Sequence, residues 1–293
     1  MSSEDNLTTK FDTSRNWGFI DSDLQLKLSN STVAIAGVGG VGGRIAVELT
    51  RIGVGRLVLA DPDIFTATNL NRQEGSYTST LNQNKARVIA DICRDINPAV
   101  RIAIYEDGIT TGNIEKFIAG ADVLVEATDY ALPHLGVMLA RTARSHNIPM
   151  ITGVEMGFGA TIAWFPPTGF TYEKHLGLDD DVTLEELKSG AKKVDIGRWV
   201  THVPSYGDLR VLKQVVNGDQ EAPAISPAVG LCSAMATTQI VSLIANSKTM
   251  PPAPAVFSVE LKELKSRIIR YPYLHYRMSL LKVIIRSILN RPE

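Results

Sequence analysis

Short apolar runs alternate with longer amphipathic stretches along the chain as far as residue 165. The apolar runs predict β-strands at 32–36, 56–60, 101–105, 123–126 and 150–152. The stretches between them have helical spacing and predict helices at 43–52, 84–96, 112–119 and 132–146, after a short helix at 21–28. Strands that alternate with helices in this way are typical of a mainly parallel sheet with helices on both faces.

The pattern changes after residue 155. One more strand is predicted at 159–165, and the segment 166–223 is irregular, mixed in charge and rich in turn residues. Irregular segments of this length are commonly functional or mobile. A helix of small residues is predicted at 226–245, and final strands at 255–261 and 267–271 indicate an antiparallel extension of the sheet.

A glycine pattern follows the first predicted strand. It reads Gly37-x-Gly39-x-x-Gly42, with Gly40 inside it, and Asp61 ends the second strand. The first glycine permits a tight turn, the second lets phosphates approach the backbone, and the third lets helix and strand pack closely. Phosphates then lie at the helix N-terminus, and the acid accepts hydrogen bonds from ribose hydroxyls. The pattern therefore predicts a nucleotide-binding βαβ unit.

The polar loop after Asp61 favours ATP over a dinucleotide. A dinucleotide domain usually continues from this acid into its next helix, whereas here amide, cationic and carboxylate side chains follow. They are Asp63, Asn69, Arg72, Gln73, Lys85 and Asp129. Cations and a Mg²⁺-binding carboxylate neutralise phosphate charge, which hydride transfer does not need. An NAD-dependent oxidoreductase stays an alternative, supported by the glycines and Asp61 alone.

Together these residues resemble the ThiF/MoeB/HesA family, the prokaryotic relatives of ubiquitin-activating enzymes. The similar motifs are Gly37 to Gly42, Asp61-x-Asp63, Asn69-Leu-Asn-Arg72-Gln73, Lys85 and Ala127-Thr128-Asp129. The resemblance covers residues 12 to 165 well and the remainder in outline. It implies a Rossmann-like fold and an ATP- and Mg²⁺-dependent adenylyltransferase.

The resemblance also implies a role for each residue of these motifs. Asp61 would hold the ribose, Asn69 and Arg72 would contact the phosphates, Lys85 would contact the α-phosphate, and Asp129 would bind Mg²⁺. Arg15 is similar to the family's N-terminal arginine, which reaches into the neighbouring subunit's site. That similarity implies a homodimer with shared active sites.

The resemblance implies a substrate carboxylate at the end of a peptide or a small ubiquitin-like protein, activated as an acyl-adenylate. Two alternatives stay within the family, a dehydratase acting on an RNA base and a peptide-tailoring enzyme. A non-catalytic scaffold that keeps the nucleotide fold is a further alternative. The presence of Arg72, Lys85 and Asp129 argues against the scaffold.

The chain has two cysteines, Cys93 and Cys232, and neither belongs to a CxxC pair. A four-thiolate zinc site within this chain is therefore excluded, and no zinc is expected. Both cysteines lie in apolar or small-residue helical stretches, which predicts packing roles. Because no cysteine lies between residues 153 and 231, we expect an acyl-adenylate that another nucleophile attacks, without a catalytic cysteine.

Net charge and hydropathy limit the classes of partner that we expect for this chain. The 293 residues carry a net charge of -1, which gives no global case for a nucleic acid. The N-terminus is polar, and we expect no uncharged apolar run near 18 residues, hence no membrane span and a cytoplasmic protein. Residues 262–291 carry eight basic residues against Glu263. Their last part predicts a helix at 274–290 with Met278, Leu281, Ile285 and Ile288 on one stripe, expected to dock on its own domain or a dimer mate rather than on a membrane.

The chain is thus predicted to form an α/β protein with a Rossmann-like, mainly parallel sheet, helices on both faces, an irregular crossover and a C-terminal antiparallel and helical extension. Four regions follow from this prediction. They are a flexible N-terminus at 1–14, an ATP-binding adenylation region at 15–165, the crossover segment at 166–225, and the extension at 226–293.

Overall fold

A computed structural model describes residues 11–201, 203–247 and 250–289 of the chain. Within these residues an eight-stranded sheet has the spatial order β3-β2-β1-β4-β5-β6-β7-β8. The strands are β1 Thr32–Ala36, β2 Arg56–Ala60, β3 Arg101–Tyr105, β4 Val123–Glu126, β5 Met150–Met156, β6 Gly159–Phe165, β7 Val256–Glu260 and β8 Lys265–Ile269. The pairs from β3 to β5 are parallel, and those from β5 to β8 are antiparallel.

The helices follow the strands closely along the chain. They are α1 Ser22–Asn30, α2 Gly40–Ile52, α3 Lys85–Ile96, α4 Ile114–Ile118, α5 Pro133–Ser145, α6 Tyr172–His175, α7 Leu184–Lys188, α8 Leu209–Asn217, α9 Ser226–Ala245 and α10 Pro272–Leu289. Helices α2, α3 and α9 bury one face of the sheet, around Ile35, Ile45 and Ile89. Helices α4 to α7 bury the other face, around Leu124 and Phe117. The predicted α/β fold with helices on both faces is confirmed.

The centre of the sheet positions the site. Strand β1 is buried along its whole length, as expected for a continuous apolar run covered on both faces. It pairs with β2 on one side and with β4 on the other, Val33 lying opposite both Leu57 and Val123. Strands β2 and β3, which follow β1 in the chain, therefore lie on one side of it, and β4 and β5 lie on the other side. This reversal opens a crevice at the carboxyl ends of the strands, where nucleotides bind in such sheets.

The structure differs from the predicted elements mainly at their ends. Helix α2 begins at Gly40, three residues before the predicted 43, so the third glycine of the pattern lies inside its first turn. Strand β5 continues to Met156, beyond the predicted 152, because it pairs with β6 along its full length. Strand β8 begins at Lys265 rather than at 267. Residues 1–10 of the predicted flexible N-terminus lie outside the described residues.

The segment 166–223 is more regular than predicted. It contains α6, α7 and α8, and α8 has signals at both ends. The Asp208 side chain caps its N-terminus by accepting a hydrogen bond from the Arg210 N–H, and Gly218 ends it in the left-handed conformation. The prediction of an irregular segment was wrong there, and both capping residues were readable in the sequence.

Helix α9 corrects one expectation about hydropathy. Its 20 residues are long and apolar enough to cross a membrane by length and composition alone, so the expectation of no such run was wrong. In the fold α9 packs against α2, β5 and β6, and Ala228, Val229 and Cys232 are fully buried. These contacts are those of a core helix.

Candidate active site

The glycine loop, residues 37–42, joins β1 to α2 in a close-packed turn. Gly37 has a left-handed φ of +85°, and its N–H donates to the Ala60 carbonyl over 2.8 Å. A Cβ on Gly37 would lie 2.2 Å from the Ala127 carbonyl oxygen, and one on Gly42 would lie 1.9 Å from the Gly37 carbonyl oxygen. No side chain fits at either position. The backbone at the N-terminus of α2 is therefore bare, which is the arrangement that receives a phosphate.

Two walls enclose this loop. A Cβ on Gly39 would lie 3.5 Å from the Gln73 Nε2, and one on Gly40 would lie 3.4 Å from the Val229 Cγ2 of α9. The Gln73 Oε1 atom is buried and accepts no hydrogen bond within the part of the chain that the structure describes. A bound hydroxyl or amino group of a nucleotide would supply that donor. The wall formed by α9 was not predicted, because its small residues indicated only close packing.

Asp61 connects the glycine loop to the polar loop after β2. Its Oδ2 accepts from the Val38 N–H and its Oδ1 from the Asp63 N–H, both over 2.9 Å. Burial raises the pKa of Asp61, and the positive charge of Lys85 opposes that shift. Since an ionised carboxylate has about four acceptor sites, Asp61 keeps capacity for ribose hydroxyls.

Lys85 is a buried cation at the start of α3. Its Nζ donates to the Asp63 Oδ2 over 2.9 Å, and Asp63 is mostly exposed. The Asn84 side chain caps the helix by accepting from the Arg87 N–H, and it donates to the Asp61 carbonyl over 3.0 Å. These two contacts fix where α3 begins and therefore where Lys85 lies. A buried ammonium that shares only part of its hydrogens with a carboxylate is suited to bind a further anion.

Asn69 and Arg72 lie in the same polar loop with different roles. The Asn69 Oδ1 accepts from the Thr66 N–H over 3.0 Å, so this oxygen holds the loop and only the Asn69 amide nitrogen is left for a ligand. Arg72 donates through Nη1 to the Thr68 carbonyl and to Asn71, and its Nε and Nη2 have no hydrogen bond among the described residues. Its charge reaches Glu155 of β5, whose pKa is raised by burial and lowered in part by Arg72.

Asp129 follows β4 and is exposed. Its Oδ1 accepts from the Ala131 N–H over 2.8 Å, and its Oδ2 has no hydrogen bond in the described ranges. This free carboxylate oxygen fits a Mg²⁺ ligand, because Mg²⁺ is commonly held by one or two carboxylates together with substrate phosphates. Among the described residues, no group of three or more His, Cys, Asp or Glu side chains could hold a metal by itself.

A buried carboxylate holds the turn that carries Asp129. Glu126 accepts hydrogen bonds from the Thr128 N–H over 3.1 Å, from the Thr152 hydroxyl over 2.8 Å and from the Tyr172 hydroxyl over 3.2 Å. The last two donors come from β5 and from α6. This network was not predicted. Its one signal in the sequence is an acid that ends an otherwise apolar strand run.

The two cysteines pack in the core, as predicted. Both side chains are fully buried. Burial raises the pKa of Cys93 to about 11 and that of Cys232 well above its ordinary value. A catalytic cysteine needs an accessible thiolate, so neither has the environment of a nucleophile.

Arg15 lies away from the site of its own chain. It is exposed in the short 3₁₀ helix Ser14–Asn16. The neighbouring Asn16 donates to the Ile52 carbonyl over 3.4 Å, at the C-terminal end of α2. The glycine loop lies at the other end of α2, and a helix of this length spans about 20 Å. The fold thus brings together the other predicted site residues and leaves Arg15 apart.

These elements define an α/β protein whose candidate nucleotide site combines a glycine loop, two cations and a free carboxylate. The model of the ThiF family matches residues 11–277. The chain therefore belongs to the ThiF family, as its motifs predicted.

Two curated relatives illustrate the range of the family. The sulfur carrier protein ThiS adenylyltransferase of Escherichia coli (strain K12) is 33% identical over 145 residues, which are 50% of this chain and 57% of that protein. The tRNA threonylcarbamoyladenosine dehydratase of Bacillus subtilis (strain 168) is 36% identical over 128 residues, 43% of this chain and 50% of that protein. The chain thus spans about half the length of these relatives.

Solved structures support the fold. A crystal structure of E. coli MccB with ATP has a TM-score of 0.62 at 18% identity and covers 85% of this chain and 66% of that chain. The crystal structure of PaaA has a TM-score of 0.62 at 19% identity and covers 84% of this chain and 66% of that chain. At such identities the likeness concerns the fold alone.

Proposed function

We propose that this protein is an ATP- and Mg²⁺-dependent adenylyltransferase that activates a carboxylate. One observation carries the proposal. The glycine loop shares one end of the sheet with the buried Lys85, the unpaired Arg72 nitrogens and the free Asp129 oxygen. Such a set of charges matches a triphosphate, whereas hydride transfer to a nicotinamide has no use for it.

Each residue has a defined part in the proposed reaction. Asp61 holds the ribose, the Asn69 amide and the Gln73 side chain contact the nucleotide, and Lys85 and Arg72 bind the phosphates. Asp129 would hold Mg²⁺, which neutralises charge on the phosphate oxygens when bound. An oxygen of the substrate carboxylate forms a bond to the α-phosphorus, and the bond from that phosphorus to pyrophosphate breaks. The chain contributes in-line positioning and stabilises the charge that develops on the oxygens.

The proposed substrate is the carboxylate end of a peptide or of a small ubiquitin-like protein. The E. coli relative acts on a sulfur carrier protein, by its name. The last part of the crossover lies beside the site and would guide such a chain. The Asn71 side chain donates to the Ala224 carbonyl over 3.2 Å. A carboxylate carried on tRNA is the second candidate, because of the 36% identity to the dehydratase.

Nucleotide choice tests the proposal directly. Calorimetry should show binding of ATP with Mg²⁺ and no binding of NAD, because the cations and the free Asp129 oxygen match a triphosphate with its metal, whereas NAD has two phosphates and needs no metal. Pyrophosphate exchange with peptides or ubiquitin-like proteins, against the same assay with bulk tRNA, then separates the two substrate candidates. Tight NAD binding without any response to ATP would refute adenylation. Because the reaction consumes ATP, we infer a cytoplasmic protein, which cell fractionation checks.

We also propose that no cysteine of this chain enters the reaction. The Cys93→Ser/Cys232→Ser variant should keep wild-type ATP binding and pyrophosphate exchange while its unfolding midpoint falls, because two buried sites become more polar. The purified wild-type protein should contain no stoichiometric zinc by metal analysis. A reducible covalent adduct between either cysteine and a substrate peptide would contradict the proposal.

We propose a homodimer in which Arg15 contributes to the partner's site. Arg15→Ala and Asp129→Asn proteins should each lose tight Mg²⁺-dependent ATP binding. Mixing them under conditions of random subunit exchange should restore about a quarter of the wild-type number of tight sites, because half of the dimers then hold one intact composite site. No recovery, with mixed dimers verified by mass spectrometry, would remove Arg15 from the partner's site.

A further inference from the structure

Helix α10 is anchored to its own domain by one face. Tyr276 and Val283 are buried there against Val200 and Val203. The His275 Nδ1 bonds to the Thr201 carbonyl over 2.7 Å, and the Ser279 hydroxyl accepts from the Val203 N–H over 2.9 Å. These contacts confirm the docking predicted for this helix on its own domain. They also fix the rotation of α10 about its axis, so that the opposite face points outward.

The outward face of α10 is apolar. Leu274, Met278, Leu281 and Ile285 are each 46% to 59% exposed, and together they form what we call the outer stripe. At about 100° per residue, these positions fall within an arc of roughly 60°. Solvent-exposed apolar residues that adjoin one another in this way mark an interaction surface more often than isolated ones do.

Cations border the outer stripe on both sides. Arg277 and Lys282 are exposed and lie about 70° to either side of its centre. Arg270 is exposed just before the helix. The sequence contains no acidic residue from 264 to 292. Two copies that met through this same face would therefore bring like charges together, which disfavours a contact between two α10 helices.

We propose that the outer stripe docks the protein on an anionic lipid surface. An apolar stripe flanked by Lys and Arg is the pattern of a helix that lies in the interface of a bilayer, its apolar residues between the lipids and its cations at the phosphates. A bilayer requires no shaped pocket opposite the stripe. The docking on its own domain accounts for the inner face of α10, and the lipid surface is proposed for the outer stripe alone.

Vesicle co-sedimentation of the 293-residue protein tests this inference. The protein should bind vesicles of phosphatidylcholine mixed with phosphatidylglycerol and not vesicles of phosphatidylcholine alone, and binding should weaken as salt screens the charges. Leu281→Glu should lower the partition coefficient at least tenfold. Lys282→Gln should lower it about fivefold, the usual contribution of one cation near an anionic surface.

Leu26→Glu is the matched control, because Leu26 on α1 is 63% exposed and lies outside the outer stripe. It should leave the partition coefficient unchanged, and circular dichroism should show all variants folded. Absence of binding to anionic vesicles overturns the inference, as does wild-type binding by Leu281→Glu. If Leu281→Glu instead changes the oligomeric state in ultracentrifugation while lipid is not bound, the stripe belongs to a second copy and the inference fails.

Discussion

Asp129→Asn is expected to lower pyrophosphate exchange by about a hundred- to a thousandfold, the usual loss when one charged group is removed from a transferring phosphoryl centre. It should also abolish the gain in ATP affinity that Mg²⁺ gives the wild-type protein. The reason is local. The Asp129 Oδ1 is committed to the Ala131 N–H, and the Oδ2 is the free oxygen. Asparagine keeps the acceptor for the turn and replaces the free carboxylate oxygen by an amide that does not bind Mg²⁺.

The fold of this variant should be intact. Its unfolding midpoint should stay within about 2 °C of the wild-type value, since an exposed substitution that keeps its hydrogen bond changes stability little. Asp95→Asn is the charge-matched control, because Asp95 is exposed on α3. It should behave as wild type in both assays. Exchange that survives in Asp129→Asn, with a peptide that the wild-type protein activates, would mean that the Mg²⁺ role belongs elsewhere.

The parts of the site that the sequence could predict are local in the chain. The glycine loop and Asp61 lie at the ends of strands whose apolar runs are buried on both faces. The apolar pattern in the sequence therefore placed these residues correctly at the strand ends. Asp63, Asn69, Arg72 and Gln73 belong to one loop, and Lys85 begins the helix that follows it. A motif with fixed spacing carries such residues together, because a short chain segment can reach only a small part of the crevice.

The parts that escaped prediction depend on contacts between distant segments. Tyr172 from the crossover segment and Thr152 from β5 fix one oxygen of Glu126, whose other oxygen accepts from the Thr128 N–H in the Asp129 turn. The α9 wall at Gly40 depends on Val229, far along the chain. Neither contact has a periodicity or a spacing that marks it. In the sequence Arg72 and Lys85 are equivalent cations, whereas the fold buries Lys85 and leaves Arg72 partly exposed.

The difference between local motifs and contacts between distant segments also decides what could be predicted for Arg15 and for α10. Arg15 was assigned through resemblance alone, and its own fold places it at the wrong end of α2 for a role within one subunit. The apolar stripe of α10 was readable from helical spacing, but the sequence could not tell which face is docked. Tyr276 and Val283 take the inner face, and this leaves Met278 and Leu281 outside. The side chain of Ile288, the last member of the predicted stripe, lies outside the described residues.

Gly42→Ala is expected to weaken ATP binding strongly, because the added Cβ deforms the glycine loop. The new Cβ would lie 1.9 Å from the Gly37 carbonyl oxygen and 3.2 Å from the Ala127 Cβ. The first of these is a backbone atom, so the turn itself must move. Overpacking of this kind costs about 1–3 kcal/mol of folding stability. Losing about two charge-assisted hydrogen bonds from the loop to phosphate should weaken ATP binding roughly a hundredfold.

Thermal unfolding and calorimetry with ATP and Mg²⁺ together measure both effects on Gly42→Ala. The matched control is Gly112→Ala, where a Cβ would meet only the Thr110 hydroxyl oxygen at 3.7 Å and the backbone has no positive φ. That variant should bind ATP as the wild type does and unfold at the same temperature or slightly higher, since alanine restricts the unfolded chain. If Gly42→Ala binds ATP normally although it unfolds earlier, the glycine serves helix packing alone, and the phosphates lie away from the N-terminus of α2.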